Sequence, residues 1–173
     1  MLRPIQCGSL VLLALASGCG SSVDHDSAVK VMNLALSGTV AGDGHVVSVD
    51  VDAAKGHVDV ALSDSTGKGS AEVTGSIANS NGVITTEVDV EFKDWTDPLN
   101  QVTLNGSLHE NGTFASPLPI LGDVKLSGDL AVSGAVNATV DFDLKGNYSL
   151  TGLSVKGEVG GQSMNSGIDI SIH

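Results

Sequence analysis

The chain has 173 residues, about the size of one domain, and 20 acidic residues against 8 lysines and arginines give it a formal net charge of −12. That charge repels polyanions and anionic bilayers, so nucleic acid is excluded as a natural partner, and any membrane contact needs something other than basic side chains. Hydrophobic residues make up 41% but aromatics only 3%, with 22 glycines, so a core has to be built from Val, Leu, Ile and Ala.

In chain order, residues 1–18 read first as a targeting segment. Arg3 supplies a positive start, and Leu10 to Ala16 is an apolar run too short to span a bilayer, which takes about 20 residues. The run ends in Ala16-Ser17-Gly18-Cys19. This resembles the lipobox of bacterial lipoproteins, with Ala16 where the family usually has Leu. The resemblance covers only the first nineteen or so residues. It implies cleavage before Cys19, lipidation of Cys19 (thioether-linked lipid with added acyl chains such as palmitate) and stable anchoring of the domain to a membrane. Gly20, rather than Asp, after the cysteine implies the outer membrane of a bacterial envelope as the location. Cleavage discards Cys7 and lipidation consumes Cys19, so no free thiol and no disulfide remains. Removal of Arg3 takes the formal charge from −12 to −13.

Residues 19–29 are small and polar and read as the lipidated N-terminus and a flexible tether, leaving 30–173 as a single antiparallel β domain. Apart from a possible short turn near Ser27 to Met32, no helical period is sustained. Alternation of period two runs throughout, as in Val47, Val49 and Val51, in Val58, Val60 and Leu62, in Thr86, Val88, Val90 and Phe92, in Val136 to Leu144, and in Ile168, Ile170 and Ile172. Turn signals at Ala41-Gly44, Ala53-Gly56, Asn79-Gly82, Glu110-Gly112, Lys145-Asn147 and Gly160-Gln162 separate these runs into about ten strands. The expectation is an all-β fold: a curved antiparallel sheet closing as a barrel, a half-barrel or a sandwich. A parallel β-helix and a transmembrane barrel fit less well, because no repeat period holds and the aromatic girdles are missing.

One phrase recurs: LALSGTV from Leu34, AEVTGSI from Ala71, VTLNGSL from Val102, VKLSGDL from Val124 and LSVKGEV from Leu153. Each places a glycine (Gly38, Gly75, Gly106, Gly128, Gly157) where a side chain should point inward. Glycine weakens a strand, so the recurrence implies sites of curvature and close packing.

Chemistry is sparse. A four-residue loop at Ala53 to Gly56 sets Asp50 opposite Asp59 and Asp52 opposite His57, a place for calcium or, more simply, a solvated acidic face. Glu87, Asp89 and Glu91 line one strand face. His25, His45, His57, His109 and His173 have no metal-ligand spacing, and Ser65 to Ser70 only superficially resembles a phosphate loop and reads as a hairpin turn. No nucleophile motif is present, so no catalytic residue, cofactor or metal is expected. Trp95 reads as a ligand platform or, more simply, as the cap of a core, and the Ser116 to Gly122 loop with two prolines reads as a plug or lid. The function this implies is a non-catalytic, membrane-anchored envelope lipoprotein with a structural, surface or protein-binding role. The alternative is a carrier of a hydrophobic ligand such as a lipid, which demands an apolar void of several hundred cubic ångströms.

Overall fold

A computed structural model describes residues 23–39, 45–52, 55–115, 121–149 and 152–168. The targeting segment with Cys19, most of the two-proline loop, and Ile170 and Ile172 lie outside the described residues. Among the described residues, one helix, α1 (His25–Thr39), precedes nine strands: β1 (His45–Asp52), β2 (His57–Ser63), β3 (Ser70–Ser80), β4 (Val83–Asp97), β5 (Val102–Ala115), β6 (Gly122–Gly134), β7 (Ala138–Ser149), β8 (Gly152–Val159) and β9 (Gln162–Ile168). The strands form one antiparallel sheet in sequence order, and no pairing joins β1 to β9. The fold is therefore an open, curved antiparallel sheet, with α1 packed in its concavity against β4, β5, β8 and β9.

The helix corrects part of the expectation. Residues 25–29, read as tether, form its first turns, and Leu34 to Val40, read as a strand, supplies its second half up to Thr39. The physical cause is visible in the sequence. Asp24 caps the N-terminus by accepting the Ser27 backbone N–H (2.9 Å) and hydroxyl (2.8 Å), and these bonds hold its carboxyl below the usual range. Ala28, Val31, Met32 and Ala35, all fully buried, then recur at helical spacing. Gly38 is a helix glycine: a Cβ there would lie 2.5 Å from the Phe92 ring, so its absence lets the helix lie on the sheet.

The core is one continuous cluster on the concave side, in which Val90, Phe92 and Trp95 of β4, Leu104 and Leu108 of β5, Leu130 of β6 and Val140, Phe142 and Leu144 of β7 join Ala28, Val31, Met32 and Ala35 of the helix. The four strand glycines of the recurring phrase do face inward. Gly106 pairs between Phe92 and Leu130, Gly128 between Leu108 and Phe142, and Gly157 between Leu144 and Met164, so each gap lies between large residues. A Cβ would meet the neighbouring strand's carbonyl oxygen at 2.9 Å at Gly106, 2.6 Å at Gly128 and 2.0 Å at Gly157. Their absence brings adjacent backbones close, which is how a sheet is made to curl.

Two expected turns are not turns. Glu110-Asn111-Gly112 and Lys145-Gly146-Asn147 lie inside β5 and β7. Gly112 and Gly146 are buried inward positions, where a Cβ would strike the Phe114 ring and Val124 respectively, so here glycine serves packing and the strands run long. The Asn81-Gly82 turn is a true hairpin, with both residues at positive φ.

Candidate functional site

A cleft of about 430 Å³ lies at the end of the sheet where α1 crosses it; two wider hollows, of about 640 and 530 Å³, lie over charged strand faces. The walls of the cleft are the exposed side of the helix (Lys30, Asn33, Ser37), the β2–β3 turn and the end of β4 with the β4–β5 turn. Asp64 organises it. This side chain is 1% exposed, the one buried charge among the described residues. Its Oδ1 accepts from Thr66 N (2.9 Å), Thr66 Oγ1 (2.7 Å) and Lys68 N (3.3 Å), which closes the β2–β3 turn. Its Oδ2 accepts from Thr96 N (3.0 Å), tying that turn to β4. Burial opposes the charge, but the bonds from Thr66, Thr96 and Lys68 outweigh it and hold the carboxyl below its ordinary value. The superficial phosphate-loop phrase is thus a hairpin turn whose N–H groups are spent on Asp64.

Trp95 reaches the core through a bulge. Asp94, at φ 51°, shifts the register between Phe92 and Trp95 and exchanges hydrogen bonds with Asn105 (2.9 and 3.2 Å). The extra residue turns Trp95 inward, where it is 2% exposed and meets Phe92 edge-on at 6.1 Å. It caps the core and also lines the cleft. The β4–β5 turn is held by Asp97, which accepts from Leu99 N (2.8 Å) and Asn100 N (3.3 Å). Of the cleft's polar side chains, those of Lys30 and Asn33 make no hydrogen bond or ion pair with other described residues. Asp64, Thr96, Asp97 and Asn100 hold the turns, Ser37 Oγ donates to Leu34 O within the helix (2.7 Å), and the buried Trp95 Nε1 has no partner among the described residues.

Inside the fold, the gap lined by Leu36, Glu110, Leu126, Leu144, Tyr148 and their neighbours is about 10 Å³, room for a single water at most. Glu110 faces this apolar interior, and burial raises its carboxyl above the usual range. Burial, and then the charge of Glu110, raise the Tyr148 phenol well above its ordinary value.

The convex face carries the remaining sequence candidates. Asp50 pairs with Asp59 and Asp52 with His57, in the expected register. Asp52 instead accepts from Lys55 N (3.1 Å) and pairs with its ammonium (2.8 Å). His109 from β5 joins the Glu87, Asp89 and Glu91 face, its Nδ1 2.8 Å from Asp89 Oδ1 and its Nε2 3.9 Å from Glu87 Oε1, a contact that no spacing within one strand reveals. Among the described residues, no group of three or more His, Cys, Asp or Glu side chains is placed to hold a metal ion. No helix among them is long and apolar enough to cross a membrane. Searches found no protein-family model, no curated protein and no solved structure that matches the chain.

Proposed function

We propose that this protein is a non-catalytic envelope lipoprotein: a compact β module held on a bacterial membrane, the outer membrane by the Gly20 criterion, through lipid on Cys19, with a structural, surface or protein-binding role. The observation that carries the non-catalytic part is the disposition of polar groups. Asp64, Asp97, Asp94 and Asn105 are spent on turns and a bulge, and the titratable groups of the convex face are solvated or paired across strands. The lipobox-like Ala16-Ser17-Gly18-Cys19 supports the anchor.

The carrier reading needs room. The described interior is occupied by α1 and leaves about 10 Å³, against roughly 300 to 1,000 Å³ for a typical ligand pocket, so a lipid enters only if the helix leaves. The deciding experiment is metabolic labelling with a palmitate analogue in a bacterial host, followed by membrane fractionation of the native chain and Cys19→Ala. Label and membrane retention that both vanish in Cys19→Ala support the anchor; an unlabelled, freely soluble native chain overturns it. Extraction of acyl ligands by the Cys19→Ala protein shifts the assignment to a carrier.

A further inference from the structure

The helix changes what the anchor implies. Residue Val23 is already part of the fold: it is 9% exposed and packs at the β8–β9 turn, where a Cβ on Gly160 would lie 2.7 Å from Val23 Cγ2 and 3.3 Å from Val140 Cγ1. Four residue steps separate Cys19 from Val23, a reach of about 14 Å even when fully extended. A domain held by so short a link cannot tumble above the membrane. It presents the end of the sheet that carries Val23.

That end is defined by the topology. In a nine-strand meander the β2–β3, β4–β5, β6–β7 and β8–β9 connections share one rim, and the contacts agree: Asp64 of the first bonds Thr96 beside the second, and Ala135 N of the third donates to Gln101 O of the second at 2.8 Å. The rim carries Asp24, Asp26 and Asp97 against Lys30 and Lys68, so charge does not draw it to an anionic bilayer. It also carries the most exposed large apolar side chain of the described residues, Leu99, at 92%, next to exposed Pro98 on the tip of the β4–β5 turn. The rest of that turn is built to hold the tip rigid, through the two Asp97 bonds to Leu99 N and Asn100 N. A leucine presented on a braced turn, in an acidic protein, on the rim nearest the anchor, fits insertion among acyl chains.

Resting on the lipoprotein reading above, we infer that this rim is a membrane-facing surface, with the Pro98-Leu99 tip as a second, apolar contact with the phospholipid bilayer that receives the Cys19 lipid. The two contacts lie toward opposite ends of α1, which spans about 22 Å, so together they fix the domain's tilt as well as its distance.

The test uses the lipidated full-length protein in vesicles of phosphatidylethanolamine and phosphatidylglycerol. Leu99→Cys, and Ser80→Cys on the opposite rim, each carry an environment-sensitive thiol dye. Processing removes Cys7 and lipid blocks Cys19, so the native chain takes no dye. The expected result is a blue-shifted emission at position 99, quenched by brominated acyl chains, with position 80 unshifted and unquenched. Vesicle-bound protein with both positions in water, or with position 80 the quenched one, overturns the inference and leaves the anchor standing. Dye uptake by the native chain, with no protein on the vesicles, shows Cys19 free and overturns the anchor reading together with this one.

Discussion

Three of the inward strand glycines, Gly106, Gly128 and Gly157, combine positive φ with a close neighbouring backbone, and alanine at each should cost stability in the order of its crowding. At Gly157, φ is 143° and a Cβ would lie 2.0 Å from the Asp143 carbonyl oxygen and 3.0 Å from Leu144 Cα. All are backbone atoms of β7. The shortfall from ordinary contact is about 1.4 Å, and moving β8 by that much stretches the ladder bonds on either side beyond hydrogen-bonding range. Two such bonds at about 1 kcal/mol each, added to about 1 to 2 kcal/mol for the left-handed backbone, give roughly 3 to 4 kcal/mol for Gly157→Ala. At Gly106 the closest atom is 2.9 Å away and the next is the flexible tip of Leu130, so the cost falls to about 2 kcal/mol; Gly128 lies between. Gly82→Ala is the control, because φ is 78° but nothing lies within 4 Å, and it should cost about 1 kcal/mol. Urea unfolding followed by Trp95 fluorescence measures all four. Equal losses at Gly157 and Gly82 would show that backbone preference alone places the glycines, and the close-approach argument would fall.

Glu110→Gln should stabilise the protein at neutral pH. Burial raises the folded-state carboxyl above its unfolded value, so ionisation favours unfolding, and the native chain loses stability as pH rises from the unfolded value through the raised one. Urea midpoints between pH 4 and 8 should show that loss shrinking in the variant; parallel curves would refute it. Asp64→Ala should cost on the order of 3 kcal/mol, because it removes four accepted hydrogen bonds and unties the β2–β3 turn from Thr96. Because the folded carboxyl is held low, its contribution is present above the unfolded value and lost as pH falls through the folded one, so acid unfolding should be less steep in the variant. Deleting residues 23–39 should leave a chain that binds an apolar dye and aggregates; a monomeric, cooperatively unfolding product would show that the sheet closes without its helix.

Much of the sheet was legible because alternation is a direct imprint of burial on one face. Asp50 opposite Asp59 followed from a loop length alone. The helix was misread for a specific reason: Leu34 to Val40 copies the strand phrase, and the copy outweighed the Asp24 cap and the spacing of Ala28, Val31, Met32 and Ala35, which were there to find. Gly112 and Gly146 were misread because glycine beside asparagine is a turn signal in a short strand and a packing device in a long one. The rim cleft was not legible at all. It exists because Asp64 meets Thr96, 32 residues away, and no local pattern encodes that bond. Trp95 as a core cap was legible, but the bulge that turns it inward depends on Asn105 of the next strand.

The choice of helix over strand for Leu34 to Thr39 follows from what the sheet lacks. A curved sheet must fill its concavity, and one with several inward glycines brought close to their neighbours and with few aromatic rings has little side-chain volume to do so. A second sheet would need about 10 Å of clearance along a whole face, whereas a single helix, about 10 Å across, covers the concavity by crossing from β8 and β9 to β4 and β5. Gly38 then brings the helix onto Phe92, while the fully buried Val31, Met32 and Ala35 join the core cluster in the concavity. The same glycine type therefore acts twice, bending the sheet from within the strands and admitting the helix that fills the bend. The element that completes the core begins at His25, six residues after Cys19, so under the proposed lipidation the placement of the lipid and the packing of the interior are set by one segment of chain.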